Sequence, residues 1–307
     1  FILASVLGVA SVAAAQPTPH LYLVAQPPGR SDFRLTAISN LGAVGAGYGS
    51  IAGPPTRVIG SRWTPEAGIT DLPISPPERV FPWAISANGS VVGGSYYPEP
   101  ATSLELFRAF RSGPDGQIED LGVLPTYLRS TVLAANTDGS VLGGYNSRSV
   151  GATEERNPFL WTASSGMVSL GHLRPENALT DFSDMSTGGR FVVGRSGRNP
   201  VSPLAPYIWS QETGMVPLTL PGPFGSNYGE ANGVNADGTV VVGQVRDGTT
   251  GIDYACRWLN GQLSYLPAIP GFRTPRAIGV DDSGSIITMT AISTSGGGSQ
   301  SFIWTAD

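Results

Sequence analysis

The sequence predicts an all-β chain: a six-bladed β-propeller of four-stranded antiparallel blades, its ring closed by an N-terminal strand. Three observations predict it. A turn glycine recurs at Gly42, Gly89, Gly139, Gly189, Gly238 and Gly284, at intervals of 46 to 50 residues. A large aromatic recurs in step with it, at Trp63, Phe110, Trp161, Trp209, Trp258 and Trp304. Between the two lie β-branched runs such as "SVVGGS" and "TVVVGQ". Self-similarity at a period of roughly forty to fifty residues, with four short strands per period, is the signature of propeller blades.

Each unit opens with a short apolar strand ("PWAIS", "TVLAAN", "ANGVN"). A tight turn follows, with Asn, Asp or Ser ahead of the glycine, residues that tolerate the positive φ of a hairpin turn. Strand two is β-branched and carries paired small residues such as Gly93-Gly94 and Gly143-Gly144, which suit close backbone approach. A variable loop leads to strand three, which ends in the aromatic; the ring fills the wedge between sheets and places its N–H on a backbone acceptor. A second turn at Gly68, Gly116, Gly166, Gly214 or Gly261 leads to a fourth strand ("ITDLP", "IEDLG", "MVSLG", "MVPLT", "LSYLP"). The units fall at about 35–81, 82–130, 131–180, 181–228, 229–274 and 275–307. The last stops at "SFIWTAD" without a fourth strand, and "LYLVAQPPG" from Leu21 matches "LSYLPAIPG" from Leu263. Residues 21–34 are therefore expected to complete the last blade, which removes exposed sheet edges.

Residues 1–20 stand apart as an apolar segment. The first fifteen, "FILASVLGVASVAAA", carry no charge. As a helix they would reach roughly 22 Å, short of a hydrocarbon core of about 30 Å. They fit the apolar core of a secretory signal, with Ala13 and Ala15 at a cleavage motif before Gln16. Retained, they would instead serve assembly.

Composition narrows the function classes. The chain has 307 residues, 40% hydrophobic, enough for one domain with a substantial core. Only 13% are charged, against an ordinary share of about 25%. The 41 glycines and 26 prolines make it rich in turns. All 18 basic residues are arginine and the net charge is -5, which leaves no electrostatic footprint for nucleic acid. The lone cysteine, Cys256, excludes an internal disulfide.

The pattern "AISANGSVVGGS" with "FRAFRSGPDGQIEDLG", and "AANTDGSVLGGY" with "NPFLWTASSGMVSLG", resembles the HAF repeat of bacterial extracellular proteins. The likeness covers nearly the whole chain after Leu21. The naming His-Ala-Phe is degenerate here: "RAF", "PFLW", "PYIW", "ACRW", "SFIW". The resemblance implies an extracellular or cell-surface place and a propeller-like fold, and no reaction.

The catalytic inventory is poor. The two histidines are His20, in the N-terminal arm, and His172, after a fourth strand. A nucleophile device needs a base oriented by a third group, and no such group accompanies His172, which reads as a solvated loop residue. Cys256 shares a strand with Trp258 and reads as buried and inert. The turns "NTDG", "NADG" and "DDSG" lack the alternating ligand ladder of a calcium loop and read as turn chemistry. Glu119 and Asp120 are adjacent on a strand and face opposite ways. "GAVGAGYGS" from Gly42 opens no helix, so its phosphate-loop context fails. No catalytic residue, cofactor or metal site is expected.

Function is expected on one face. In a four-stranded meander the tight turns lie at one end, and the strand two-three loops and inter-blade connections at the other. Those loops differ in every unit: "YGSIAGPPT", "YYPEPATSLE", "NSRSVGATEERN", "SGRNPVSPLA", "RDGTTGID", "ISTSGGGSQ". Tyr48, Tyr96, Tyr97 and Tyr145 follow strand two, with Arg148, Arg195, Arg198 and Arg246 near them. Tyr127, Arg129, Phe224 and Tyr228 come from the connections. Tyr and Arg are favoured at interaction hot spots, and Tyr faces also suit sugar rings. Three readings result. The first is a non-catalytic secreted or cell-surface scaffold that binds an extracellular protein or glycan through this face. The second is a self-assembling filament subunit, polymerising through its N-terminal segment or by strand exchange. The third and weakest is a carbohydrate-active propeller enzyme. Contact with a membrane is expected only in passing, through the signal-like segment.

Overall fold

The computed structural model describes residues 24, 26–40, 43–53, 56–73, 79–98, 106–151, 153–174, 179–197, 204–221 and 228–306. Among them, 23 strands form six antiparallel sheets, each a meander in chain order. The first sheet is β1 (Ser31–Ile38), β2 (Gly45–Ile51), β3 (Arg57–Thr64) and β4 (Gly68–Asp71). The second is β5 (Val80–Ile85), β6 (Val92–Tyr96), β7 (Arg108–Ser112) and β8 (Ile118–Gly122). The third is β9 (Arg129–Ala135), β10 (Val141–Val150), β11 (Thr153–Thr162) and β12 (Gly166–Ser169). The fourth is β13 (Thr180–Met185), β14 (Phe191–Ser196), β15 (Ala205–Ser210) and β16 (Gly214–Pro217). The fifth is β17 (Tyr228–Val234), β18 (Val240–Arg246), β19 (Asp253–Leu259) and β20 (Gln262–Tyr265). The sixth has three strands, β21 (Phe272–Val280), β22 (Ile286–Ser293) and β23 (Ser299–Thr305).

One side chain closes each first hairpin. The residue just after strand one accepts a hydrogen bond from an amide at the entry to strand two: Ser86 Oγ from Val91 N (2.9 Å), Asn136 Oδ1 from Val141 N (3.0 Å), Asn235 Oδ1 from Val240 N (2.9 Å) and Asp281 Oδ1 from Ile286 N (2.7 Å). This is why Ser, Asn or Asp recurs there. The turn glycine has two reasons to be glycine. At Gly139 the backbone is left-handed (φ 74°), and a Cβ would sit 2.4 Å from Val91 of the preceding sheet. The turns are also tied to one another. Asn40 N donates to Ala87 O (3.0 Å), Asn88 N to Thr137 O (3.0 Å), Thr137 N to Thr187 O (2.8 Å) and Ala236 N to Asp282 O (3.3 Å).

Strand one bulges opposite the strand-two glycines, with register shifts between Pro82 and Ala84, Phe182 and Asp184, and Ala231 and Gly233. A Cβ at Gly94 would meet the Phe81 carbonyl oxygen at 2.0 Å, so only glycine passes there.

Apolar cores lie between consecutive sheets, and the strand-three aromatics reach back into them. Phe110 joins Ala46 and Leu72 of the first sheet, and Trp161 joins Ala84 and Leu121 of the second. Trp258 joins Val193 and Leu218 of the fourth, and its indole N–H donates to Thr219 O at 2.7 Å. Trp304 joins Val240 and Leu266 of the fifth and lies under Arg257. The sheets at the two ends differ from the middle ones. β18 is buried on both faces along nearly its whole length, whereas β22 alternates buried and exposed. Ile286 and Ile292 face outward, and Ile303 of β23 is 74% exposed.

Two expectations need correction. Residues 31–34 do not complete the last sheet: they open β1, where Ser31 pairs with Ser50 and Arg34 with Tyr48. The chain is pinned just ahead of them, because Arg30 bonds Ser61 Oγ (2.8 Å) and the Asp71 carboxylate on the first sheet. Of the strand expected to close the ring, residues 21–23 and 25 lie outside the described residues, and Pro28 and Gly29 form a turn. The stretch "NSRSVGATEERN" is not a loop. Asn146 to Val150 pair with Thr153 to Asn157 and extend the β10–β11 hairpin, braced by Arg148 on Glu155 (2.6 Å).

Candidate functional site

The strand two-three loops and the inter-sheet connections share one end of the sheets, as an up-and-down meander requires. Just inside that end one position repeats in each first strand, five residues before the hairpin-closing residue: Arg34, Phe81, Thr131, Asp181, Glu230 and Arg276. Their partners on strand two are Tyr48, Ser95, Tyr145, Arg195, Gln244 and Thr290. This ring of pairs divides into an aromatic sector and an ionic sector.

The aromatic sector belongs to the first three sheets. The bulge in β5 turns Phe81 and Trp83 the same way, and their rings stack at 5.9 Å with 6° between planes. Tyr48 meets them edge-on at 5.0 and 5.7 Å. Tyr97 meets Phe81 at 6.0 Å and Phe107 at 6.0 Å. An open pocket of about 400 Å³ lies here, lined by Phe81, Trp83, Ser95, Tyr97, Phe107, Thr131, Leu133 and Tyr145. The Trp83 N–H is already spent on Ser95 Oγ (3.2 Å), so the pocket presents ring faces together with the Tyr97 and Tyr145 hydroxyls.

The ionic sector runs through the third to sixth sheets. Arg129 approaches Glu154 at 3.8 Å, and Glu154 holds Arg156 at 2.8 Å. Arg156 crosses to Asp181 (2.9 Å), which also takes Arg195 (2.7 Å). Arg195 crosses to Glu230, which takes Arg276 from the sixth sheet at 2.6 Å. Tyr228 O–H donates to the same Glu230, whose side chain is only 7% exposed. Burial, the Glu230 hydrogen bond and the Glu230 charge push the Tyr228 hydroxyl up to about 12. Burial lowers Arg156, but the Glu154 hydrogen bond and the Asp181 charge outweigh it, and its pKa is raised.

The sequence-derived residues divide accordingly. Tyr48, Tyr97 and Tyr145 meet in the aromatic sector, with Arg156 over the Tyr145 ring at 5.0 Å. Tyr96 turns the other way, packing edge-on to Phe110 at 6.4 Å against the core between the first two sheets. Tyr127 lies under Arg148, itself bound to Glu155. Arg129, Arg195 and Tyr228 are tied into the ionic sector. Arg246 is held by both Asp253 oxygens, at 2.7 and 2.9 Å. Arg198 and Phe224 lie outside the described residues. Sequence reading found the strand-two members and missed Phe81, Trp83, Phe107, Asp181, Glu230 and Arg276. Alignment on the hairpin-closing residue would have found most of them.

His172 lies in the loop after β12, as expected, but is not fully solvated. It is half-buried, its Nδ1 lies 2.8 Å from Thr180 Oγ1, and burial lowers its pKa. Cys256 is fully buried and its thiol is pushed up by burial, away from thiolate reactivity. Glu119 and Asp120 diverge to different arginines, Arg111 (3.4 Å) and Arg108 (3.6 Å). The turn carboxylates are spent locally: Asp138 Oδ1 accepts Ser140 N (3.0 Å) and Asp237 Oδ1 accepts Thr239 N (3.0 Å). Asp184 stands where the other first strands carry Ala or Gly. It accepts Val234 N of the fifth sheet at 3.1 Å, and burial raises its carboxyl to about 6.

No family model matches the chain, and no curated protein matches it. Solved structures do. The β-propeller domain of the Trilobed protease from Pyrococcus furiosus matches with a TM-score of 0.57 at 9% identity, over 91% of this chain and 81% of that one. Acylaminoacyl peptidase from Pyrococcus horikoshii matches with a TM-score of 0.55 at 9% identity, over 90% of this chain and 44% of that one. TolB from Acinetobacter baumannii matches with a TM-score of 0.46 at 13% identity, over 75% of this chain and 52% of that one. The chain thus spans about half or less of the last two proteins. The fold is that of a β-propeller.

Proposed function

We propose that the protein is a non-catalytic secreted or cell-surface propeller, a ring of six blades that binds an extracellular partner through its loop-bearing face. One observation carries this: Phe81, Trp83, Tyr97, Phe107 and Tyr145 converge on one open pocket, while the acids of the neighbouring sector are consumed by arginines. Rigid aromatic surfaces are what binding hot spots are made of. Its free polar groups are chiefly the Tyr97 and Tyr145 hydroxyls, and no charged side chain lines it, which favours an extended protein segment over a glycan, whose hydroxyls need a denser set of partners. The extracellular place rests on the resemblance to HAF-repeat proteins and on the signal-like first fifteen residues. The test is a tryptophan-fluorescence titration with proline-rich peptides and neutral oligosaccharides, on the natural protein and on Phe81→Ala/Tyr97→Ala. Saturation by a peptide, lost in the double variant, is expected. Saturation by an oligosaccharide alone would transfer the pocket to glycans. Turnover of either would sink the non-catalytic reading.

A second reading, the filament subunit, is favoured by the sixth sheet. Its edge strand β23 has no further partner among the described residues, and its outer face carries Ile286, Ile292 and Ile303. Strand exchange there would build fibres. Sedimentation and negative-stain images across a concentration series decide it: single particles at every concentration would end this reading.

A further inference from the structure

We propose that the cavity between the fifth and sixth sheets is a second binding site, made for an apolar carboxylate. The cavity holds about 420 Å³, within the usual range for small-ligand sites. Its body is apolar: Ile252, Tyr254, Leu266, Ile269 and Phe272 line it. Ile252 stays half exposed at its rim. Its polar groups are few and of two kinds. Arg246 is neutralised, because both Asp253 oxygens hold it. Arg273 is exposed, lines the cavity and has no ion-pair partner among the described residues, so one positive charge is left over.

Beside Arg273 stands Thr274. Its φ is 47°, in the left-handed region that a β-branched side chain adopts only at a cost. It sits where the β21–β22 register slips between Arg273 and Arg276. Its Oγ1 is buried and has no hydrogen-bond partner. A buried hydroxyl without a partner is destabilising, and so is a strained backbone. Both fall on one residue that lines an apolar cavity, next to a guanidinium with no ion-pair partner among the described residues. A bound carboxylate resolves both polar groups: one oxygen accepts the Thr274 O–H and the other accepts the Arg273 N–H groups. The apolar remainder of the ligand replaces water against Ile252, Leu266, Ile269 and Phe272. An ammonium is repelled by Arg273, and a neutral alcohol leaves it unpaired. Two sources carry this chemistry, a free fatty acid and the C-terminal residue of an apolar peptide. The inference does not depend on the aromatic pocket.

The test is isothermal titration calorimetry on the full chain with octanoate, octylamine, octanol, and N-acetyl-Phe-Leu as free acid and as amide. One of the acids is expected to saturate one site per chain, and octylamine and the amide are expected not to. Saturation by octanoate assigns a fatty acid; tighter binding of the peptide acid assigns a chain terminus. Arg273→Gln is expected to weaken binding by about tenfold or more. Thr274→Val keeps the shape and removes the orphaned hydroxyl, so it should weaken binding by about fivefold while leaving the ligand-free melting temperature unchanged or higher. Octanol binding as tightly as octanoate, indifference to both substitutions, or no saturation of either acid by about 10 mM would overturn the proposal.

Discussion

At the same position, five residues before the hairpin-closing residue, the second sheet carries Phe81 and the fifth carries Glu230. The backbone around the two is equivalent, down to the bulge and the strand-two glycine. Around Phe81 the rings stack on each other and leave a face open to solvent. Around Glu230 two arginines and a tyrosine close on one carboxylate. Repetition of the backbone thus decides where a site can be, and side-chain chemistry decides whether it is open for a partner or sealed as a brace between sheets.

Breaking the sealed sector should have the largest effect on stability. Glu230→Ala removes the buried carboxylate that joins Arg195 to Arg276; Arg195 keeps Asp181 and Arg276 is half-exposed, so the expected loss is about 2–3 kcal/mol, read by chemical denaturation. Trp83→Ala is the matching cut in the open sector. Half-buried and stacked on one side only, it should lose about 1–2 kcal/mol of stability while abolishing binding at the aromatic pocket. A Trp83→Ala loss as large as that of Glu230→Ala would erase the distinction between brace and pocket. Asp184 sharpens it through pH. Its carboxyl is raised to about 6 in the fold, so the stabilisation it contributes is complete below its unfolded value near 4 and is lost as pH rises through about 6. Asp184→Asn keeps an acceptor for Val234 N. It should flatten that slope and gain about 1–2 kcal/mol at pH 7 in urea melts at several pH values. The smallest effect belongs to Arg190→Ala: Arg190 and Glu212 pair at 3.2 Å in full solvent, and under about 0.5 kcal/mol is expected.

The meander was legible because its signals are local. A glycine that must be left-handed and a Ser, Asn or Asp that closes the hairpin sit at constant spacing, and neither depends on what lies across the molecule. The extension of β10 and β11 was hidden, because its support is the cross-strand pairing of Arg148 with Glu155 in a stretch that reads as polar loop. The site was half legible. Tyr48, Tyr97 and Tyr145 announce themselves after strand two. Asp181 and Glu230 carry no local signal, since their partners Arg156, Arg195 and Arg276 come from 14 to 46 residues away. Phe81 and Trp83 lie in an apolar first strand, and alternation along a strand assigns sides only where no bulge intervenes.

The turn-to-turn hydrogen bonds join sheets that are consecutive along the chain. A molecule coupled that way opens as a row of linked units rather than as a single block. The first and sixth sheets carry exposed faces and have the least to lose by opening. Amide exchange should therefore start in β1 and β23 and reach β10, β14 and β18 last, as a gradient of protection running inward from both ends of the chain.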